Sequence, residues 1–281
     1  MSDHRVVLGD CLDPLTGLAS LPDKSVDHVI CDPPYAADVY MRAARLKPGA
    51  RGDISPALLK MGAGAIGLMT PDDAAAVVLQ ALRVARRWVV FFHDVQSWHW
   101  YIGAMGDAFV RCGVWVKPDP TPQITGDRPA HGFEAATIGH SPGRKRWNGG
   151  GRPATWIVGT ERDRDHDHPC PKPLELMESL VRDFTDPGEL ICDPFAGSGT
   201  TGVACKRLGR RFIGWECEPK YAAIAEKRIA AAREQLGLFR EKAPREKQAA
   251  LSLPDGPERT GGPVLIGKVL PAALAKARKA R

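Results

Sequence analysis

The chain of 281 residues lacks several features that would direct its classification at once. No run approaches the ~18 consecutive apolar residues of a membrane span. The opening Met1-Ser2-Asp3-His4-Arg5 lacks the apolar stretch of a secretory signal, so a cytoplasmic protein with no membrane partner is expected. Its 7 cysteines are an odd number and include no C-x-x-C pair, which argues against a disulfide framework and a structural zinc site. Several stand inside apolar runs, as in Val29-Ile30-Cys31 and Leu190-Ile191-Cys192, where a small buried hydrophobe is expected. His166-Asp167-His168 has no further spaced ligands, so no metal is assigned. No internal repeat is apparent. The body also lacks net charge: the formal +6 of the chain is held by residues 240–281, and residues 1–239 balance at zero. Overall basicity therefore says little about the fold.

What is present, at 43% hydrophobic residues, is enough for a sizeable core. Short β-branched runs alternate with helical spacing. Arg5–Leu8, Val26–Cys31, Trp88–Phe92, Val114–Val116, Thr155–Val158, Leu190–Cys192 and Phe212–Glu216 read as strands. Residues 12–21 read as a short or irregular helix. Thr70-Pro71-Asp72-Asp73 combines a capping residue, a first-turn proline and two acids, and predicts a helix to about Arg87. Further helices are expected over 96–112, 171–184, 200–208 and 219–235. The alternation predicts an α/β fold with a mainly parallel sheet. Residues 36–70 read as a lid or insertion. Residues 117–155 are rich in Pro, Gly, Arg and His, and residues 239–281 form a basic, flexible tail.

Two turns carry chemistry. Gly197-Ser198-Gly199-Thr200-Thr201-Gly202 matches G-x-G-x-x-G between a strand and a helix, where glycines admit a ligand close to the backbone. The next strand ends in Glu216, an acceptor for ribose hydroxyls. A nucleoside-containing cofactor follows, and a nicotinamide dinucleotide stays open on this pattern alone. Asp193-Pro194-Phe195 just before the glycines places a carboxylate at a strand tip, which suits a cationic group better than a pyrophosphate. The second turn, Asp32-Pro33-Pro34-Tyr35, also follows a strand. Its two prolines remove two N–H donors and fix the backbone. A carboxylate, a rigid carbonyl and an aromatic face together suit an amino group on a flat ring.

The two turns in this order, with Gly9-Asp10-Cys11-Leu12, the block His168 to Glu175 and Gly214-Trp215-Glu216, resemble the amino-group DNA methyltransferases that use S-adenosylmethionine, in their permuted β arrangement. The resemblance covers roughly residues 1–40 and 166–232. It implies a Rossmann-like class I methyltransferase fold with circularly permuted motif order and a small recognition insertion. Residues 1–116 would form the catalytic half and 156–238 the cofactor half.

The resemblance also implies roles. Asp193, Phe195, Gly197 and Gly199 would line the methionine part of the cofactor, Ala196 and Ser198 of the same turn would also be cofactor-binding, and Thr200 and Thr201 would sit at the helix start nearby. Glu216 would hold the ribose, and Asp10, with Cys11 beside it, would meet the adenine amine. Asp32 and the Pro33 carbonyl, in the turn completed by Pro34, would bind the target amine, and Tyr35 would stack on the flipped base. Where the family more often has Thr and Gln, this chain has Cys170 and Pro171, so no polar cofactor contact is assigned there.

The implied reaction is methylation of the 6-amino group of adenine in a specific double-stranded DNA sequence. The 4-amino group of cytosine is the alternative, and a nicotinamide-dependent oxidoreductase is a more distant one. Arg144, Lys145, Arg146, Trp147 and Arg152, in residues 117–155, are the candidate DNA contacts, with Phe133 nearby. Lys and Arg of 41–60 could close from the other side, and the basic tail would add phosphate affinity without sequence preference. A homodimer and a separate restriction endonuclease remain open as partners.

Overall fold

The computed structural model describes residues 3–35, 69–120, 122, 126, 129–160 and 172–234. The expected lid, the Cys170-Pro171 pair and the basic tail lie outside the described residues, apart from Met69 and Thr70. Among the described residues, eight strands form one sheet: β1 (His4–Leu8), β2 (His28–Cys31), β3 (Trp88–His93), β4 (Phe109–Val116), β5 (Phe133–His140), β6 (Thr155–Ile157), β7 (Leu190–Asp193) and β8 (Arg211–Glu216). Their order across the sheet is β1-β8-β7-β2-β3-β5-β4-β6. The first five in that order run parallel; β5 is antiparallel to both β3 and β4, and β6 is parallel to β4.

Alternation along the central strands divides the core. Val29, Cys31, Val89 and Phe91 pack on one face with α1 (Pro71–Val84) and α2 (Trp98–Met105). Ile30, Val90, Phe92, Ile191 and Phe212 pack on the other with α3 (Leu174–Phe184), α4 (Thr200–Arg207) and α5 (Pro219–Ala231). Helices on both faces explain why the parallel strands read as continuous apolar runs. The helix start at Thr70 is realised as a capping box. Thr70 Oγ1 accepts from the Asp73 N–H at 3.2 Å, and Asp73 Oδ2 accepts from the Thr70 N–H at 3.3 Å.

Three expectations differ. Residues 12–21 contain only a 3-10 turn, Leu18–Ser20, consistent with Pro14 and Gly17. The helix expected over 96–112 stops at Met105, because Gly106 turns at φ +50° and Phe109 begins a β run that continues to Val116. Residues 117–155 are not wholly irregular. Phe133–His140 crosses them as β5, buried after its first residue and wedged between β3 and β4. Its Ala, Thr and Gly leave no apolar signature to read, and its burial comes from neighbours on both sides.

Candidate functional site

The parallel strands end at one edge of the sheet, and the acids cluster there. The register pairs Leu8 of β1 with Glu216 of β8, and Asp193 of β7 with Gly214. Asp32 follows β2, whose Cys31 pairs with Phe91 of β3. Asp10 follows β1 after Gly9, whose N–H donates to the Glu216 carbonyl at 2.9 Å. Asp10, Glu216, Asp193 and Asp32 thus stand at the ends of four neighbouring strands. In open α/β sheets this carboxyl edge is where ligands bind.

The glycine turn folds over this edge. The Gly197 N–H donates to Glu216 Oε2 at 2.9 Å, and the Ala196 N–H to the Trp215 carbonyl at 2.8 Å. Gly199 takes φ +83°, and a Cβ there would lie 2.8 Å from Ala225 Cβ, so conformation and space both require glycine. The polar side chains of the turn serve the turn itself. Thr201 donates to Asp193 Oδ2 at 2.5 Å. Arg228 reaches back from α5 to the Ser198 carbonyl at 2.6 Å and the Thr200 hydroxyl at 3.3 Å. Cys11 is buried in the core. The side chains of Ser198, Thr200 and Thr201 are thus bonded within this unit, and that of Cys11 lies beneath it.

Asp193 is buried, and burial pushes its carboxyl up to about 7. Bonds from Thr201 and the Phe195 N–H resist this, and the Asp32 and Glu216 carboxylates add to it. No cation pairs with it among the described residues. A buried acid ringed by acids fits a ligand that brings a positive charge, and it disfavours the pyrophosphate of a nicotinamide dinucleotide. Glu216 keeps a partly exposed carboxylate with Oε1 accepting the Glu218 N–H at 2.8 Å, and Asp10 is exposed with Oδ1 on the Leu12 N–H at 2.8 Å. This set of acceptors fits a nucleoside bearing hydroxyls, an amine and a cation, the groups of S-adenosylmethionine.

Asp32 is bound on one side only. Its Oδ2 accepts from Lys172 Nζ at 2.6 Å, while Oδ1 is buried without a hydrogen-bond partner. Burial raises its carboxyl above the usual range against the pull of Lys172. Pro33 is buried and Pro34 half-buried, as the rigid turn requires. The Tyr35 hydroxyl donates to Glu134 at the start of β5. Lys172 and Glu134 were missed as site residues. Each is a charge in a stretch rich in loop formers, and only the antiparallel course of β5 and the entry into α3 bring them to Asp32.

The same course of β5 splits the candidate DNA region. Its first residues, with exposed Phe133, lie at the carboxyl edge, and its end lies at the opposite edge. Residues 144–152 follow that end and are fastened there. Trp88 Nε1, at the start of β3, donates to the Arg146 carbonyl at 2.5 Å, and Arg146 pairs with Asp186 at 2.9 Å. Arg152 pairs with Asp183, and Trp147 packs edge-on against Phe184 with ring centroids 4.9 Å apart. Arg144 and Lys145 are exposed on the same loop. The structure thus does not bring Arg144, Lys145, Arg146, Trp147 and Arg152 to the acid cluster, and it commits three of them to α3 and the segment after it.

A family described as DNA methylase matches residues 138–227. The type II methyltransferase M2.DpnII of Streptococcus pneumoniae is 54% identical over 63 residues, 22% of this chain and 24% of that protein, so the match spans about a quarter of the relative's length. The crystal structure of the M1.HpyAVI–SAM complex superposes with a TM-score of 0.59 at 23% identity, over 80% of this chain and 98% of that one. The PvuII DNA methyltransferase, cytosine-N4-specific, gives 0.60 at 17% identity, over 82% and 87%. None of these favours an oxidoreductase. The permuted order of the two turns and the Rossmann-like sheet that sets them side by side agree with these likenesses: over residues 138–227 the chain is similar to the DNA methylase family, and its fold is similar to that of the solved methyltransferases.

Proposed function

We propose that the chain transfers a methyl group from S-adenosylmethionine to an exocyclic amino group of a base in double-stranded DNA, with the adenine 6-amino group as target. One observation carries the reading. Asp32 presents a buried, unpartnered Oδ1 at the same sheet edge as the cation-seeking Asp193 and the ribose-suited Glu216. An acceptor with nothing to accept, beside a nucleoside cradle, asks for an amine.

When bound, S-adenosylmethionine supplies a methyl group already activated by its sulfonium. The chain's own residues do the rest. Asp193 takes the amino group of the methionine portion, Glu216 the ribose hydroxyls, and Asp10 the adenine amine. The backbone at Gly197 and Gly199 allows close approach. An exocyclic amine conjugated to its ring is a poor nucleophile, because its lone pair is delocalised. Asp32 Oδ1 and the Pro33 carbonyl accept its hydrogens and favour the pyramidal nitrogen whose lone pair is free. Tyr35 provides the flat face against which a base drawn from the duplex is held. Holding the nitrogen in line supplies much of the rate, since well-oriented reactants can gain roughly 7–11 kcal/mol. No cysteine is needed: Cys31 and Cys192 are buried in the sheet, and burial keeps both thiols protonated.

Cytosine is the second reading, favoured by the likeness in fold to the cytosine-N4-specific PvuII enzyme. Position 32 argues for adenine, since the resemblance associates cytosine more often with Ser there. Incubating plasmid DNA with the protein and S-adenosylmethionine, then digesting to nucleosides for mass spectrometry, decides. N6-methyl-2′-deoxyadenosine is expected, and N4-methyl-2′-deoxycytidine alone would overturn the adenine assignment.

A further inference from the structure

Lys172 lies just before α3, and its ammonium is turned inward. Nζ donates to Asp32 Oδ2 at 2.6 Å, pairs with Glu134 Oε2 at 2.9 Å and lies 3.1 Å from the Tyr35 hydroxyl. The rings of Tyr35, Phe92 and Trp115 surround it, with centroids 5.1, 5.6 and 5.9 Å away. Glu134 in turn takes Lys117 Nζ on Oε1 at 2.5 Å and the Tyr35 hydroxyl on Oε2. The side chains of Lys172 and Glu134 are each 10% exposed. Two acids and two ammonium groups balance in a place where an unpaired charge would be costly. A cluster of this kind is an expensive way to hold a fold together, yet it touches both the acid and the ring of the turn that receives the base.

The groups facing Asp32 come from every element around it. Cys31 and Tyr35 flank it in the chain, Tyr101 faces it from α2, Asp193 from β7, Glu134 from β5, Lys117 from the end of β4 and Lys172 from the start of α3. Among the described residues only the two lysines favour its charged form. Burial, Glu134 and Asp193 oppose it. Glu134 itself is held at about 2: burial pushes it up, and the two lysines more than reverse this. Lys172 stays charged because Asp32 and Glu134 outweigh the burial that would neutralise it.

We propose that Lys172 and Glu134 are positioning residues for the target amine: Lys172 occupies Oδ2 of Asp32 and keeps the carboxylate charged with Oδ1 free, while Glu134 anchors Lys172 and locks the Tyr35 ring. The proposal rests on the amino-methyl transfer reading above. A charged acceptor binds an amine hydrogen more strongly than a neutral one, roughly twofold in energy. Removing the counter-ion therefore disables the turn without touching the cofactor cradle.

The test is the pH dependence of kcat for methyl transfer to DNA in the unaltered protein and in Lys172→Met, Lys172→Arg and Glu134→Gln, with S-adenosylhomocysteine affinity measured alongside. Loss of an opposite charge raises a neighbouring acid by about one pH unit or more. Lys172→Met should therefore move the acid limb of kcat to higher pH. Glu134→Gln, which removes a like charge, should move it to lower pH. Lys172→Arg should restore most of the original limb, and cofactor affinity should hold throughout. Limbs that do not move, or that move in the same direction in both variants, would overturn the role. If Lys172→Met does not fold, the direction of the Glu134→Gln limb decides alone. An unaltered protein that binds S-adenosylhomocysteine yet leaves DNA unmethylated would instead contradict the methyl-transfer reading on which this role depends.

Discussion

Asp193 stands in an environment that disfavours an ionised carboxylate. It is buried, its near neighbours Asp32 and Glu216 are acids, and burial lifts it to about 7 from an ordinary 3.8. A group that holds its proton to about pH 7 in the folded chain, but only to about 3.8 unfolded, stabilises the fold fully below the lower value. That stability is lost as pH rises through 7. A cationic ligand reverses the loss by giving the ionised carboxylate a partner. The rise in Tm caused by S-adenosylhomocysteine should thus be larger at pH 8 than at pH 6. Asp193→Asn should abolish that difference and weaken binding about 10- to 100-fold, the loss of one charged hydrogen bond. Equal Tm shifts at the two pH values would show that Asp193 does not meet the cation. Asp193, Asp32 and Glu216 were legible in the sequence because each closes an apolar β run, where an acid has no packing reason to stand. Glu134 and Lys172 were not, because what makes them functional is a contact across more than 30 residues of chain, Glu134 with Lys172, that no local pattern encodes.

At the scale of elements, the strand–turn–helix unit β7–α4 is tightly constrained at its glycine turn. Gly199 combines φ +83° with Ala225 Cα at 2.9 Å from any added Cβ, so neither backbone nor neighbour can give way. Gly199→Ala should cost about 1–3 kcal/mol in urea unfolding and loosen the cofactor cradle with it. Gly103 is the control: it lies in α2 with nothing within 4 Å of an added Cβ, and Gly103→Ala should stabilise by up to about 1 kcal/mol. A Gly199→Ala variant as stable as the parent would show that the turn is more plastic than its contacts imply. The same contrast explains which elements could be read beforehand. The capped helix at Thr70 and the strands before Asp32 and Asp193 have local signals. β5 does not: Phe133-Glu134-Ala135-Ala136-Thr137-Ile138-Gly139-His140 carries small residues whose β character is imposed by β3 and β4.

Across the whole molecule, the sheet has a working edge and a structural edge. The carboxyl ends of the parallel strands carry Asp10, Asp32, Asp193 and Glu216. The opposite edge carries the paired charges of Arg87 with Glu189, Arg146 with Asp186 and Arg152 with Asp183. Composition does not record which way a strand runs: the basic residues 144–152 follow the reversal at β5 and lie at the edge opposite the acids. Arg144→Ala combined with Lys145→Ala should therefore leave DNA affinity and its salt dependence unaltered. A salt slope reduced by about one per lost phosphate contact would return them to the interface.

The central claim is that the Asp32 turn acts on an amine beside a cofactor held by Asp193 and Glu216. Its most direct measurement compares the unaltered protein with Asp32→Ala, following transfer of labelled methyl from S-adenosylmethionine to DNA and, separately, S-adenosylhomocysteine binding by calorimetry. The account predicts that methyl transfer disappears in Asp32→Ala while cofactor affinity stays within about threefold, since Asp32 lies outside the cradle. Methyl transfer that survives in Asp32→Ala would contradict it.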